Sequence, residues 1–356
     1  MRKPRLFYFL PFFHTVSFQF VAKWHVYFLR ELFNVFQLDE KFFYSKLALF
    51  FLPSHKVSCL HPFFYLAFER ESHLKLLRLK TEYIVGFDVA DSTAISPKAV
   101  KVANMCDLII VPTEFSKEVF ENSGVEMRIE VIPHGVPEEF KIEKIVIKHP
   151  LIKKLTRMKL EKKYFYILYF LWHSWKRKGA HLVYEVMKEI QKEFPNVVLL
   201  LKTGTYRDPF VEILLSLRTI EVSGFMSLRT LIELYSIADV VIVPSLAGGF
   251  EWNALEAIAL GIPTIVPNSP FFNHIKKYAV TIDNVREVEV YEDNPIHIGK
   301  GYEPEPNTFY NVLKDVILNY PSYKEKFVKQ RYEVLEKFSW SNIGRKLISI
   351  FSEFTR

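Results

Sequence analysis

The sequence predicts an α/β protein built from two doubly wound parallel sheets that face each other across a cleft. Three observations carry that prediction. The chain has 356 residues, more than one typical hydrophobic core organises, and so fits two domains. Short β-branched or aromatic runs alternate with amphipathic stretches, the rhythm of parallel strands covered by helices. That rhythm pauses in a polar, lysine-rich stretch from Pro137 to Lys163 and then restarts.

In the first half the candidate strands are Leu6 to Leu10, Lys56 to Leu60, Tyr83 to Phe87, Leu108 to Pro112 and Arg128 to Ile132. Between the last two, TEFSKEVFENSG reads as a helix capped by Thr113 or Ser116 and stopped at Gly124. After the pause the strands are Tyr164 to Leu171, Val197 to Lys202, a short one near Glu221 and Val222, Val240 to Pro244, Pro263 to Pro267, and Ala279 to Ile282. The helix Ala180 to Phe194 sets Leu182, Val183, Val186, Met187, Ile190 and Phe194 on one face. The expected domains are residues 1–140 and 160–337, with a C-terminal helix over about 338–356 returning to the first. Ligands of such sheets gather at the carboxyl ends of the strands, so the cleft is the expected active site.

Composition excludes several classes. With 49% hydrophobic and 24% charged residues the chain is neither disordered nor fibrous. Cys59 and Cys106 each lie in an apolar run and read as buried thiols, which leaves no disulfide framework and no cysteine metal site. The net charge of +7 is spread along the chain without a dense basic run, and nucleic acid is not an expected partner. Pro11 and His14 interrupt the aromatic N-terminal run, which reads as a strand and helix rather than a signal peptide. Phe42 to Pro53 is too short, and broken by Lys46, to span a bilayer. The expected location is cytoplasmic, any membrane contact being peripheral and from the surface. The aromatic clusters at Phe12, Phe13, Phe42 and Phe43 read as core first, and as a contact for lipid or a hydrophobic acceptor second.

Two segments carry chemistry. In YILYFLWHSWKRKGAHLVYEVM a strand runs into a basic loop and then a helix, so that Lys176, Arg177 and Lys178 add positive charge near free helix-start amides. Diphosphate binding and a solvated basic loop are the two readings. In VVIVPSLAGGFEWNALEAIALGIPTIVP a strand ends in the flexible turn Ala247, Gly248 and Gly249, and a helix begins at about Asn253. Glu256 lies three residues after Asn253, which suits either a capping box or a carboxylate that accepts both hydroxyls of a ribose.

The ordered segments WKRKGAHLVYEVMKEIQKEFPNVVLLLKTG, VSGFMSLRTLIELYSIADVVIVPS and GGFEWNALEAIALGIPTIVP resemble family 4 of the retaining glycosyltransferases, which have the GT-B fold of two Rossmann-like domains. Upstream, ANMCDLIIVPTEFSKEVFENSGVEMRIEVIPHGVPEEF is similar to the family's passage between domains. The resemblance runs from Thr81 to Pro267. It implies transfer from a UDP- or GDP-sugar, the nucleotide sugar being substrate and no further cofactor being needed. Lys178 matches the lysine at the donor diphosphate and Glu256 the glutamate at the donor ribose. Gly224, Phe225 and Met226 fall at the base, Gly249 and Phe250 at the donor sugar and phosphate, and Lys202 joins the donor set.

The chain departs from the family twice in this half. His173 stands where the family has an arginine, with Arg177 or Lys176 as substitutes, and Gly248 stands where it has the first of two glutamates, with Glu251 the nearest carboxylate. In the first half Asp88 and Asp91, at the end of a strand, are the candidates for contact with the acceptor or transferred sugar. His14, His61 and His134 read either as structural histidines or as acceptor-side residues. Lys178, Glu256, Asp88 and Asp91 are thus the catalytic candidates. No Asp-X-Asp motif follows a strand, so the expected reaction is metal-independent, and the resemblance implies retention of configuration. A non-catalytic nucleotide-binding protein and a GT-B nucleotide-sugar epimerase remain as alternatives. Acceptor class, whether sugar, lipid-linked or protein, and oligomeric state are open.

Overall fold

Strands that bury both faces organise the chain. The run VVLLLKT buries every residue but Lys202, and FYILYFL is nearly as enclosed, as strands of a parallel sheet covered by helices must be. A computed structural model describes residues 3–13, 17–283 and 285–355. The chain divides into one unit comprising Met1–Gly135, Tyr291–Gly299 and Phe338–Arg356, and a second comprising Val136–Val290 and Lys300–Lys337.

In the first unit the strands are β1 (Arg5–Leu10), β2 (Asn34–Asp39), β3 (His55–Leu60), β4 (Thr81–Phe87), β5 (Leu108–Val111) and β6 (Arg128–Val131). They form one parallel sheet in the order β2-β1-β3-β4-β5-β6. The chain reverses direction across the sheet between β1 and β3, so the loops leaving these two strands diverge and open a crevice at their carboxyl ends. Thr113 caps the helix Glu114–Asn122 by accepting from the Ser116 amide, and Gly124, at φ +105°, ends that turn in a conformation side chains disfavour. Helix Trp340–Ser352 lies against helix Ser17–Leu29, where Trp24 stacks on Trp340 at 5.4 Å. A Cβ at Gly344 would come within 2.4 Å of the Phe28 ring, which is why this crossing needs glycine.

In the second unit the strands are β7 (Phe165–Leu171), β8 (Val197–Thr203), β9 (Thr219–Val222), β10 (Val240–Ile242), β11 (Thr264–Pro267) and β12 (Val280–Ile282). They are parallel in the order β12-β11-β10-β7-β8-β9, with the reversal between β7 and β10. An antiparallel hairpin of β13 (Val285–Glu289) and β14 (Lys300–Pro304) follows.

Several elements differ from the sequence reading. Edge strand β2 is mostly solvated and the hairpin alternates charged residues, so neither shows the apolar run by which the other strands are read. The lysine-rich stretch holds a helix, Pro150–Lys162, that buries only Ile152 and Leu155. Among the aromatic clusters Phe43 is core, whereas Phe12, Phe13 and Phe42 are 38%, 80% and 47% exposed. Among the described residues no helix is long and apolar enough to cross a membrane.

Candidate functional site

At the reversal point of the second sheet, the loop after β7 meets the loop after β10. The Leu246 amide donates to the Arg177 carbonyl at 2.8 Å, and the Arg177 guanidinium donates to the Ala247 carbonyl at 3.2 Å. Between them Gly179 sits at φ +69°, where a Cβ would lie 2.2 Å from the Pro244 carbonyl oxygen. Only glycine allows this approach, and it starts helix Ala180–Glu193 at the loop junction.

The Lys178 ammonium donates to Glu251 Oε1 at 2.6 Å, and the Glu251 side chain is only 2% exposed. Glu251 precedes helix Trp252–Ala259 in a left-handed backbone, φ 49° and ψ 60°, costly for a residue with a side chain, and its side chain makes no capping bond to the helix. This turn carries the carboxylate back over Gly248, where an added Cβ would lie 2.0 Å from Glu251 Oε1. The Glu251 carboxylate thus lies beside position 248.

Glu256 is not in a capping box. Asn253 lies inside the helix, and Glu256 Oε2 accepts from the Tyr235 hydroxyl at 2.9 Å. Burial pushes the Glu256 carboxyl up to about 7, against the opposing pull of the Tyr235 hydrogen bond. Tyr235 was not singled out in the sequence, since it reads there as one more apolar residue of helix Leu228–Ile237.

The remaining donor-side candidates occupy neighbouring strand ends. Lys202, at the end of β8, donates to the Gly224 carbonyl at 2.5 Å and to that of Thr203 at 2.6 Å, so it braces the loop after β9, and burial lowers its pKa. Gly224 adopts φ +88° and turns Phe225 outward, 77% exposed, with Met226 half-buried beside it. His173 is exposed and hydrogen-bonded through Nδ1 to Ser174 Oγ at 2.6 Å. Phe250 stacks on His274 at 4.5 Å, and His274 Nε2 donates to the Phe250 carbonyl at 2.8 Å. Gly249 is half-buried between Gly248 and Phe250.

In the first unit the carboxyl ends of β1, β3 and β4 surround a cavity of about 330 Å³. Its walls are Phe18, Pro62, Phe64, Tyr65, Val89 and Ile296, and its polar groups Asp88, Asp91 and His297. Asp88 Oδ2 accepts from the Phe64 amide at 2.6 Å and Oδ1 from the Val89 amide at 2.8 Å, while burial pushes its carboxyl up to about 7. Asp91 accepts from the Tyr291 hydroxyl at 3.3 Å, and its amide donates to His297 Nδ1 at 3.4 Å. Tyr291, Ile296 and His297 come from the segment Tyr291–Gly299, which rejoins the first unit through the Ser96 amide and hydroxyl on the carbonyls of Ile296 and Pro295, 2.8 and 2.7 Å. Nothing local in the sequence links residues two hundred positions apart.

His61 is buried. It belongs with Tyr8 and His25 to a buried cluster, and burial lowers it to about 3. His134 lines a void of about 10 Å³ shared with His25, His61 and Asp88. His14 lies outside the described residues. Among the described residues no group of three His, Cys, Asp or Glu side chains is arranged to hold a metal ion.

Comparison with known proteins bears on these sites. Residues 153–282, which contain every second-unit candidate above, match the family model "Glycosyl transferases group 1". The chain is 29% identical over 363 residues to "Uncharacterized protein 356" of Sulfolobus islandicus rod-shaped virus 1, covering 98% of this chain and 99% of the other. It is 26% identical over 275 residues to a protein of Sulfolobus islandicus filamentous virus (isolate Iceland/Hveragerdi) provisionally named glycosyltransferase 45, covering 74% and 72%. The structure described as "Trehalose-6-phosphate from E. coli bound with UDP-2-fluoro glucose" is similar with a TM-score of 0.71 at 12% identity, 99% of both chains being covered. That likeness shows the fold, two Rossmann-like domains of the GT-B type, and the matched family model supports glycosyltransferase activity.

Proposed function

We propose that the protein moves a sugar from a nucleoside-diphosphate sugar, held by the second unit, to an acceptor held by the first. The observation that carries this reading is the junction of the loops after β7 and β10, where Lys178 and Glu251 pair inside the segment that matches the glycosyltransferase model. A cation beside a helix start at a sheet's reversal point is suited to a diphosphate. Lys178 and the Gly249 and Phe250 amides take the developing charge on the leaving diphosphate by fixed electrostatics, without a metal. Glu256, oriented by Tyr235, accepts from the donor ribose hydroxyls. Phe225 offers an exposed ring to the base.

In the retaining course the bond from the anomeric carbon to the phosphate oxygen breaks on the face where the acceptor oxygen bonds. The acceptor proton passes to the departing phosphate oxygen. Glu251 stands in for the carboxylate missing at Gly248, so that departure leaves no gap. His173 is a weaker cation than the arginine the family places there, which favours a second reading, a nucleotide-binding protein without turnover.

One experiment separates them. The full chain is incubated with UDP- and GDP-sugars while thermal shift and nucleoside diphosphate release are followed, with and without EDTA. Stabilisation by one donor with EDTA-insensitive release supports transfer. Stabilisation without release under any acceptor supports the second reading, and no stabilisation by any donor overturns both.

A further inference from the structure

We propose that the first-unit cavity receives an uncharged acceptor alcohol with a hydrocarbon or aromatic body, its hydroxyl meeting Asp88, Asp91 and His297. This rests on the glycosyltransferase reading and names its acceptor class.

The lining decides the class. Phe18, Phe64, Val89 and Ile296 offer no side-chain hydrogen-bond partner, so a polyhydroxylated sugar seated there would find partners only toward Asp88, Asp91, His297 and Tyr65 and would leave its remaining hydroxyls without the water they gave up. An apolar body loses nothing by leaving water and is the occupant such walls favour. The chain leaving Pro11 of the lining exposes Phe12 and Phe13, so apolar surface continues beyond the cavity.

Charge narrows the class further. Asp88 and Asp91 both line the cavity, and a phosphate or carboxylate on the ligand would meet them with little water between. A hydroxyl suits them in either state, since it donates to a carboxylate and accepts from a protonated carboxyl. The Phe64, Val89 and Phe63 amides all bond to the Asp88 carboxyl, whose two oxygens together accept about four such bonds, so room remains for a ligand hydroxyl. The position agrees with the topology, because the cavity lies at the reversal between β1 and β3.

The test uses the full chain without nucleotide sugar, with octanol, octanoate and glucose as probes in thermal shift and calorimetry. Octanol is expected to bind saturably, octanoate about tenfold more weakly, and glucose not at all. Ile296→Asp and Tyr65→Ala are each expected to weaken octanol about fivefold or more, whereas Phe51→Ser, on a separate exposed patch, leaves it unchanged. Glucose binding more tightly than octanol, or octanol binding unaffected by both cavity variants, overturns the assignment. Because no donor is present, that outcome leaves sugar transfer to a polar acceptor standing. Failure of donor binding in the second unit, conversely, leaves octanol binding intact.

Discussion

Lys178 and Glu251 form an ion pair of 2.6 Å in which the carboxylate is almost wholly enclosed and the ammonium partly open to water. The pair joins the loop after one strand to the helix start after another, and its asymmetry has a measurable consequence. Lys178→Ala strands a buried carboxylate and is expected to cost about 3 kcal/mol. Adding Glu251→Gln removes the stranded charge and restores more than half of that loss. Urea unfolding of the two singles and the double measures the coupling, and an additive pair would show that the contact contributes nothing.

The loop junction tolerates no side chain at Gly179. Its Cβ would lie 2.2 Å from a backbone oxygen that cannot move aside, and φ is +69°. Gly179→Ala is expected to lose at least about 2 kcal/mol from the left-handed strain and the clash together. At Gly248 the nearest atom belongs instead to the Glu251 side chain, 2.0 Å away. Gly248→Ala should therefore be destabilising alone and nearly neutral in a Glu251→Ala background, which thermal denaturation of the three variants reads directly.

If Glu256 holds the donor ribose as proposed, donor affinity depends on pH. Its folded-state pKa of about 7 lies above the ordinary 4.5, so between these values the folded protein holds a proton that the unfolded chain has released. Stability from this group is therefore full below pH 4.5 and is lost as pH rises through 7. Asp88, raised from 3.8 to about 7, acts in the same direction. His61, lowered from 6.5 to about 3, opposes both, since the unfolded chain gains its proton below pH 6.5. The proposed ribose binding by the carboxylate predicts the reverse trend, with donor affinity rising through pH 7 as Glu256 ionises. Calorimetric titration from pH 5.5 to 8.5 should show this rise in the wild type, a flat profile in Glu256→Gln, and a midpoint moved upward in Tyr235→Phe.

The Tyr8 hydroxyl stands between two imidazoles, 3.1 Å from His25 Nδ1 and 2.9 Å from His61 Nδ1. A hydroxyl has one proton, so it donates to one ring and accepts from the other. One histidine must then carry its proton on Nδ1 and the other on Nε2, which nitrogen chemical shifts distinguish. Tyr8→Phe leaves both rings buried without this partner and is expected to cost about 2 kcal/mol. Two identical tautomers in the spectrum would contradict the arrangement.

Most strands were legible because a strand buried on both faces must be a nearly continuous apolar run, and Leu6 to Leu10, Val197 to Leu201 and Ile265 to Pro267 are such runs. Strand β2 and the β13–β14 hairpin were not, because a solvated strand has no apolar signature. The turn at Gly248 and Gly249 was also visible as a glycine pair after a strand, whereas the close backbone approach that only Gly179 allows was not. Glu256 could be paired with a function in the sequence only through the resemblance, its spacing from Asn253 fitting a capping box equally well.

The sequence by itself determined the α/β class, the restart of the strand rhythm in the second half, and the residue types gathered at the strand ends, because burial and turn geometry act locally along the chain. Only the tertiary structure decided the partners. Glu251 with Lys178, Tyr235 with Glu256, and Tyr291 with Asp91 are separated by 73, 21 and 200 positions, and no local periodicity encodes contacts of that kind. They exist because the sheets reverse direction and bring loops from distant strands to one edge, where a carboxylate meets its cation or its hydroxyl.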